Sequence, residues 1–404
     1  MYRGGRIAHK GDLVGMTLTA PRRWFGLIVV AAAVAVLPLV ATAAPANAAA
    51  GDDTWSVSPG APDTVGWRSV AWSPTKRIFV AVGSQGLMTS TDGATWTPQT
   101  APTAVWNSVV WSPELGLFAV VGNTGTTIIT SPDGVTWTSH AVAGGKPWTA
   151  ITWSPALHQF LVAAVGSGSL TSSDGVTWTA GPDNVSPNLT HGLAWSPALS
   201  LYVAVTNNGA YTSPDGTTWT QGTSLPAAGW RSVAWSPALA RFVAVGVGGT
   251  STIMSSADGL TWSDTPVPVT TPLGAVTWSP DQAEFVAVGQ GAILRSADGV
   301  NWSPVTDPAP ANLWDSIVWA PSLSRYVAVS SSGTSRTMLG VVPPLPVTPP
   351  AAGGGTTAPA GPRLATTGVD TGSTLLVGLS ALLAGVLALL VSLVRSKRRR
   401  PLQE

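Results

Sequence analysis

The chain has 404 residues, of which 45% are hydrophobic and only 10% charged, and it contains no cysteine. The lack of cysteine excludes disulfide scaffolds, thiol proteases and cysteine-ligated zinc or redox centres. Residues 49–367 carry ten Lys or Arg against sixteen Asp or Glu, a net charge of about −6. This part of the chain therefore has no electrostatic footprint for nucleic acid.

Residues 1–48 have the features of a secretory signal peptide. Arg22-Arg23 precede an apolar stretch over residues 24–40, and the small-residue sequence Ala46-Asn47-Ala48 follows it. A basic region, an apolar region and an A-x-A sequence are the three parts of such a signal. The pattern predicts export and removal of this segment, with Met16 as an alternative start. A retained membrane anchor is the alternative to cleavage.

A repeat of about forty residues covers most of the chain. The octapeptide TSPDGVTW at 130–137 has five near-copies spaced 40 to 43 residues apart, with aspartates at Asp92, Asp133, Asp174, Asp215, Asp258 and Asp298. A second motif, WSP or WAP, recurs seven times in the same phase, with tryptophans at Trp72, Trp111, Trp153, Trp195, Trp235, Trp278 and Trp319. Two motifs in one phase indicate a tandem structural unit.

Each unit contains four short runs rich in Val, Ile, Phe, Thr and Trp, separated by Pro or Gly, which is the pattern of β-strands. Four strands per unit predict an all-β protein, a β-propeller of four-stranded blades. The Asp-Gly pair between the third and fourth runs predicts a hairpin turn with positive φ at both central residues. The aspartate should accept hydrogen bonds from its own turn, and the tryptophan should pack against the neighbouring sheet.

Seven units are present, but the last one is incomplete. It lacks the octapeptide, whereas GDDTWSVSP at Gly51–Pro59 looks like the end of an octapeptide with no blade before it. The simplest arrangement is that Asp53–Val57 supplies the outer strand of the seventh blade, which closes the ring without a bare sheet edge. The sequence therefore predicts a seven-bladed propeller over residues 51–340.

The C-terminal residues follow a distinctive order. Residues 341–363 are rich in Pro, Gly, Thr and Ala and are predicted to form an extended spacer. LATTG follows at 364–368, then twenty apolar or small residues at 375–394, then the basic sequence RSKRRR. Twenty such residues can cross a membrane as a helix, and the basic cluster would keep the tail cytoplasmic.

Two resemblances extend this interpretation. The octapeptide pattern S-x-D-G-x-T-W resembles the Asp-box, or BNR repeat, of sialidase-like propellers, although the residue between Asp and Gly of that family is absent. In that family the box is structural and faces away from the ligand side. The C-terminal order resembles the sortase sorting signal of Gram-positive bacteria, in the LAxTG variant of actinobacteria.

The second resemblance implies that a sortase cleaves after Thr367 and joins it to peptidoglycan, so that the apolar span is temporary. The motif residues are Leu364, Ala365, Thr366, Thr367 and Gly368. A permanent single-span membrane protein is the alternative.

One candidate ligand site follows from the repeat. The residues four positions before each WSP tryptophan should form a ring at the mouth of the central channel: Arg68, Asn107, Thr149, His191, Arg231, Gly274 and Asp315. Tryptophans precede five of them, at Trp67, Trp106, Trp148, Trp230 and Trp314. One interpretation is a polar ring edged by aromatic residues that binds a glycan or peptide. The other, which we favour, is that the tryptophans pack between blades and the polar residues are solvated strand starts.

No catalytic residues, metal site or cofactor are predicted. Paired carboxylates for glycoside hydrolysis could come only from Asp183, Asp264, Asp307 and Asp315. A sialidase-like enzyme would need a tyrosine with a glutamate partner, but Tyr202 and Tyr326 take core strand positions, and Glu114 and Glu284 lie in turns on the box face. The histidines, His140, His158 and His191, fall in separate blades.

These observations predict a monomeric, cell-wall-anchored extracellular propeller that acts as a binding, adhesion or interaction module. Sortase and peptidoglycan are the expected partners of its anchor, and an unidentified extracellular glycan or protein is the expected ligand. An exported glycoside hydrolase of the sialidase-like type is the alternative. Asp-box propellers also resemble photosystem assembly proteins, but the sorting signal disfavours that role.

Overall fold

The computed structural model describes residues 54–58, 60–143, 145–164, 166, 168–182, 190–207, 209–223, 228–248, 252–306 and 311–343. The predicted signal peptide, the spacer beyond residue 343, the LATTG motif and the apolar segment 375–394 lie outside these ranges. Within them, no helix is long and apolar enough to cross a membrane. Their only helical element is a 3-10 turn at Pro321–Leu323.

The described chain folds into seven four-stranded antiparallel sheets, which are the blades. It begins with β1 (Thr54–Val57). Blade 1 consists of β2 (Trp67–Ser73), β3 (Ile78–Gly83), β4 (Gly86–Ser90) and β5 (Thr97–Gln99). Blade 2 consists of β6 (Trp106–Ser112), β7 (Leu117–Gly122), β8 (Thr127–Ser131) and β9 (Thr138–Ala141). Blade 3 consists of β10 (Trp148–Ser154), β11 (Gln159–Ala164), β12 (Ser169–Ser172) and β13 (Thr179–Ala180).

The remaining blades repeat the pattern. Blade 4 consists of β14 (Thr190–Ser196), β15 (Leu201–Thr206), β16 (Gly209–Ser213) and β17 (Thr220–Gln221). Blade 5 consists of β18 (Gly229–Ser236), β19 (Arg241–Val247), β20 (Ile253–Ser256) and β21 (Ser263–Asp264). Blade 6 consists of β22 (Leu273–Ser279), β23 (Glu284–Gly289), β24 (Ala292–Ser296) and β25 (Ser303–Pro304). Blade 7 consists of β26 (Trp314–Ala320), β27 (Arg325–Ser330), β28 (Thr337–Val341) and, as its fourth strand, β1.

The first strand of each blade is the innermost. It lies beside the first strands of both adjacent blades, and β2 of blade 1 lies beside β26 of blade 7. The seven blades therefore close a ring around a central channel. The prediction of an all-β, seven-bladed propeller of four-stranded blades is confirmed.

The N-terminal strand closes the ring, as predicted. β1 pairs antiparallel with β28, and Trp55 lies opposite Gly340. The Trp55 ring stacks on Tyr326, with centroids 5.7 Å apart and planes inclined by 16°. A Cβ at position 340 would lie 2.6 Å from the Trp55 ring, so only glycine permits this stacking. Trp55 thus takes the place in blade 7 that Trp96 takes beside Phe79 in blade 1.

The second strand of each blade carries the core. The residues Phe79 to Val82 of β3 are 0% exposed, and the corresponding four residues of the other six blades are equally buried. Both faces of these strands are covered by neighbouring blades, which explains why they read as continuous apolar runs and not as alternating ones. Each large apolar side chain buried in this way stabilises the fold by about 1.5–3 kcal/mol.

The octapeptide joins the third and fourth strands, and its aspartate is structural. In blade 1, Asp92 Oδ1 accepts hydrogen bonds from the backbone N–H groups of Ala94 and Thr95, both at 2.8 Å, and from the hydroxyl of Ser90 at 2.9 Å. Ser90 Oγ in turn accepts the N–H of Gly93 at 2.7 Å. The same bonds recur in the other five octapeptides.

The predicted conformation of this turn is wrong. Gly93 has a φ of 76°, whereas Asp92 is not among the residues of positive φ. Six residues, 91–96, separate β4 from β5, so the turn is wider than a two-residue hairpin, because the Ser and Asp side chains organise it from within. Glycine is required for contact with the preceding blade, since a Cβ at position 93 would lie 2.6 Å from Val327 of blade 7.

We expect removal of residues 51–57 to lower the melting temperature strongly, because blade 7 would lose its outer strand. Trp55→Ala should reproduce most of this loss, since Trp-to-Ala changes in a core cost about 3–5 kcal/mol. Ser56→Ala, on the exposed face of the same strand, is the matched control and should change little. Thermal unfolding followed by circular dichroism measures all three. An unchanged melting temperature after the deletion would contradict closure by β1.

Asp174 allows a pH test of the octapeptide. Hydrogen bonds from the backbone N–H groups of Thr177 and Val176 lower its pKa to about 2, from an ordinary value of 3.8. Because the folded-state pKa is depressed, the stabilisation is present above the unfolded value and is lost as the pH falls through about 2. We expect Asp174→Asn to lower the melting temperature at pH 6, with the difference from wild type shrinking between pH 4 and pH 2.

The exposed Asp264 of β21 supplies the control for this experiment. Asp264→Asn should behave like the wild type throughout the pH range. A difference between Asp174→Asn and wild type that is the same at pH 2 and pH 6 would show that the carboxylate charge is not what stabilises the turn.

Candidate functional site

Seven β-bulges form the rim of the channel mouth. In blade 1 the pairing of the first and second strands passes from Trp67 to Ser69 and skips Arg68, and in blade 7 it passes from Trp314 to Ser316 and skips Asp315. A bulge turns a side chain out of the regular pleat of its strand. The skipped residues are the seven of the predicted ring: Arg68, Asn107, Thr149, His191, Arg231, Gly274 and Asp315.

Hydrogen bonds tie the first half of this channel-mouth ring together. Arg68 Nη1 donates to Asn107 Oδ1 at 2.6 Å. Asn107 Nδ2 donates to Asn123 Oδ1 at 2.6 Å and to the backbone oxygen of Trp148, in the next blade, at 2.7 Å. Asn123 belongs to the turn between the second and third strands, so the rim has a second tier of polar groups that sequence reasoning did not identify.

The same two-tier arrangement occurs in blades 4 and 7. His191 Nε2 lies 3.1 Å from Asn207 Oδ1, and the backbone N–H of Ser331 donates to Asp315 Oδ2 at 2.7 Å. Asn207 and Ser331 both follow the end of a second strand. Asn107, His191 and Asp315 are therefore each supported by the turn after the second strand of their own blade.

Charges in the ring act on one another across blades. Burial lowers the pKa of His191, and the positive charge of Arg231 in the next blade lowers it further. Burial raises the pKa of Asp315, against the opposing effects of its hydrogen bonds with Ser331 and of the charges of Arg231 and Arg68. The two arginines, from blades 5 and 1, thus act on one carboxylate in blade 7.

Gly274 of blade 6 lies between Arg231 and Asp315 in the ring. A Cβ at position 274 would lie 2.1 Å from the backbone oxygen of Trp314. Glycine is therefore the residue that lets the rims of blades 6 and 7 approach. Blade 6 consequently places no side chain between the guanidinium of Arg231 and the carboxylate of Asp315.

The interpretation of the tryptophans as an aromatic edge for a ligand is wrong. Trp67 is 1% exposed, and Trp230 and Trp314 are 0% exposed. The indole N–H of Trp67 donates to the backbone oxygen of Pro62 at 3.2 Å. The bulge separates the two positions: the tryptophan enters the core between blades, and the next residue leaves it. The polar residues of the candidate site lie at the bulges of the rim, whereas its tryptophans lie in the core: the former are Arg68, Asn107, His191, Arg231 and Asp315.

Four serines that sequence reasoning missed join the first strands of adjacent blades. Each accepts a hydrogen bond from a backbone N–H of the following blade, at 3.2–3.3 Å: Ser69 from Val109, Ser108 from Ile151, Ser232 from Val276 and Ser316 from Val70. The signal was present, because a serine follows the ring residue in these four blades. These bonds hold the rim in place from below.

A buried carboxyl group lies on the opposite face, between blades 6 and 7. Glu284 Oε1 accepts a hydrogen bond from the hydroxyl of Tyr326 at 3.0 Å and lies 3.7 Å from Arg295 Nη1. Burial raises the pKa of Glu284 to about 7, while the bond from Tyr326 acts in the opposite direction. Tyr326 is 0% exposed, so its hydroxyl is out of reach of a substrate. Sequence reasoning missed this pair because its members lie in different blades.

The other residues considered for chemistry do not converge. Asp264 is exposed on an outer strand, and Asp183 and Asp307 lie outside the described residues. Glu114 Oε2 accepts the indole N–H of Trp153 at 2.6 Å, which is a packing role. In the described part of the chain, no group of three His, Asp or Glu side chains is placed to hold a metal ion.

Fold and rim together define a seven-bladed β-propeller, and several solved structures share this fold. YCF48 bound to D1 peptide is 19% identical, with 71% of this chain and 96% of that chain covered and a TM-score of 0.56. YCF48 from Cyanidioschyzon merolae is 15% identical, with coverage of 71% and 98% and a TM-score of 0.55. Virginiamycin B lyase from Staphylococcus aureus is 12% identical, with coverage of 72% and 99% and a TM-score of 0.60.

At these identities the likeness shows the fold alone. The similar proteins include a lyase and a protein bound to a peptide, so the shared fold does not by itself select a function. No protein-family model matches the chain, and no curated protein sequence matches it.

The coupling of His191 to Arg231 gives a test of the ring geometry. We expect Arg231→Ala to raise the pKa of His191, because a positive charge that disfavours the imidazolium form is removed. Arg68→Ala is the control, since Arg68 is not among the groups that shift His191. Titration of the imidazole signals by NMR measures both variants. Equal pKa values of His191 in wild type and Arg231→Ala would show that the two side chains do not face the same space.

Proposed function

We propose that this protein is an extracellular binding module whose ligand site is the channel-mouth ring. The observation that carries the proposal is the ring of bulges, which aims five polar side chains at one opening: Arg68, Asn107, His191, Arg231 and Asp315. Bulges of this kind commonly re-aim side chains at binding sites. The scaffold beneath is closed and repetitive, which suits a recognition surface.

Arg231 is the residue best placed to meet a ligand. Its side chain is exposed, and it makes no hydrogen bond or ion pair within the described part of the chain. A guanidinium binds carboxylate or phosphate groups through two parallel hydrogen bonds. We therefore propose a polar ligand with an anionic group, carried by an extracellular glycan or peptide. One structural neighbour is YCF48 bound to D1 peptide, which is consistent with a peptide as the ligand.

We propose that a surface anchor follows Pro343, the last described residue of the propeller. Thr54 at the start of β1 is paired with Val341 at the end of β28. Third strands end at the face that carries the octapeptide turns, so the chain enters and leaves the propeller at this box face. The described chain therefore begins and ends on the face opposite the channel-mouth ring.

We propose that the LATTG sequence provides this anchor by sortase attachment to peptidoglycan, after export directed by residues 1–48. The support is the order of motif, apolar stretch and basic tail in the sequence. We also assign the octapeptide to the Asp-box type, supported by the repeated Ser–Asp hydrogen bonding of its turns.

Thr367→Ala should move the protein from the cell-wall fraction to the membrane fraction or the medium, and an unchanged distribution would contradict the sortase assignment.

Binding at the ring is tested with arrays of glycans and peptides. We expect Arg231→Ala combined with Arg68→Ala to weaken binding of a confirmed ligand by about tenfold or more, since a hydrogen bond to a charged group contributes about 1.5–3 kcal/mol. Lys76→Ala, an exposed cation in a turn of the box face, is the control. Equal affinity of the double variant and the wild type would remove the ring as the site.

The proposal includes no catalytic step. Turnover of a chromogenic glycoside by the purified protein, abolished by Asp315→Asn at the ring, would replace it with a hydrolase function. Turnover that is insensitive to Asp315→Asn would show that the activity does not depend on this carboxylate of the ring.

A further inference from the structure

Four large aliphatic side chains are exposed on one side of the box face. Val135, Leu157, Val176 and Leu199 are 49%, 41%, 56% and 38% exposed. Val135 and Val176 follow the glycine of the octapeptide turns of blades 2 and 3, and Leu157 and Leu199 lie in the WSP turns of blades 3 and 4. We call these four residues the aliphatic arc.

The residues at the equivalent positions of the other blades are less exposed. After the octapeptide glycine they have the half-buried residues Ala94, Thr217, Leu260 and Val300. The leucines of the other WSP turns, Leu115, Leu239 and Leu323, are also half-buried. Exposure of large aliphatic residues at these turns is thus confined to blades 2–4.

The turns that carry the arc are neighbours. A Cβ at Gly175 would lie 3.3 Å from Leu117 Cδ1 of blade 2, so the blade 3 octapeptide packs against the start of a blade 2 strand. Gln159 Nε2, two residues after Leu157, donates to the backbone oxygen of Asp215 in the blade 4 octapeptide at 3.2 Å. WSP turns and octapeptide turns therefore alternate around this face, and the arc runs along them.

Carboxylates accompany the arc. Asp133 and Asp174 lie in the octapeptide turns that carry Val135 and Val176, while Glu114 lies in the blade 2 WSP turn and Asp215 in the blade 4 octapeptide turn, beside the arc. Burial acts to raise the pKa of Asp215, but backbone N–H groups of Thr218 and Thr217 lower it to about 2, and Asp174 has a similar value. Both carboxylates are therefore ionised at neutral pH.

Cations are absent from the arc itself. Between residues 78 and 230 the only Lys or Arg is Lys146, which lies beside Gly125 in a connection on the channel-mouth face. Lys76 and Arg77 of the blade 1 WSP turn bound the arc on one side. His158 adjoins Leu157 in the blade 3 WSP turn. Burial lowers the pKa of His140 in blade 2, and the charge of Asp174 acts to raise it.

We propose that the aliphatic arc docks a cationic protein segment in which Lys or Arg alternate with aliphatic residues. Aliphatic side chains of such a segment would bury Val135, Leu157, Val176 and Leu199, and its cations would face the ionised octapeptide carboxylates. A second copy of this chain would set carboxylates against carboxylates, and an anionic lipid surface would be repelled in the same way. The arc lies opposite the ring, so both surfaces can be occupied at once.

The probe is a fluorescently labelled decapeptide of alternating lysine and valine, with a lysine–serine decapeptide as its matched control. We expect the lysine–valine peptide to bind the purified protein and its affinity to fall at least tenfold between 50 mM and 500 mM NaCl, because the charges involved are exposed. Leu157→Ser combined with Val176→Ser should weaken binding at least fivefold. Val300→Ser, the same turn position in blade 6, should leave it unchanged.

Fluorescence anisotropy measures the affinities, and thermal unfolding checks that each variant is folded. Equal binding to the double variant, or equal binding of the lysine–serine peptide, would overturn the proposal. Concentration-dependent dimerisation that Leu157→Ser with Val176→Ser abolishes would assign the arc to a second copy instead. Flotation of the protein with neutral phosphatidylcholine vesicles, lost in the same variant, would assign it to a lipid surface.

Discussion

The burial of each second strand between two neighbouring blades is the interaction on which the rest of the structure depends. A single blade exposes apolar side chains on both faces, so it is stable only when blades stand on either side of it. This requirement is met for all seven blades only by a closed ring. Closure in turn needs a fourth strand for blade 7, and β1 supplies it through its pairing with β28 and the stacking of Trp55 on Tyr326.

The ring produces two chemically different faces from one repeated unit. At the channel mouth, a bulge in every first strand brings one residue per blade to the rim, and its type ranges from arginine at Arg68 to glycine at Gly274. At the box face, Ser and Asp side chains satisfy the backbone of each octapeptide turn, and glycine permits contact with the preceding blade. The rim can therefore vary from blade to blade, while the octapeptides cannot. This difference favours the rim over the octapeptide turns as a recognition surface.

The features particular to this protein lie where individual blades depart from the repeat. Gly274 places no side chain between Arg231 and Asp315 at the rim. Arg231 and Arg68, from blades that are distant in sequence, both act on the Asp315 carboxylate. Blade 7 has no octapeptide in the described chain, so none packs against blade 6. A cluster of Glu284, Tyr326 and Arg295 forms the contact between these two blades instead. Blades 2–4 expose aliphatic side chains that other blades half bury. Each of these features occurs in only part of an otherwise uniform ring.

The sequence by itself determined the blade count, the strand order, the structural role of the octapeptide aspartates and the positions of the ring, because each of these depends on a periodic pattern. The proposed export and sorting signals also rest on the sequence, since each is a contiguous pattern in the chain. The tertiary structure decided what depends on contacts between blades. It placed the bulges, buried Trp67, Trp230 and Trp314, limited positive φ in the octapeptide turn to glycine, and brought Glu284 to Tyr326. Contacts of this kind join residues about forty positions apart, and a periodic pattern shows only that such residues are equivalent, not which of them touch.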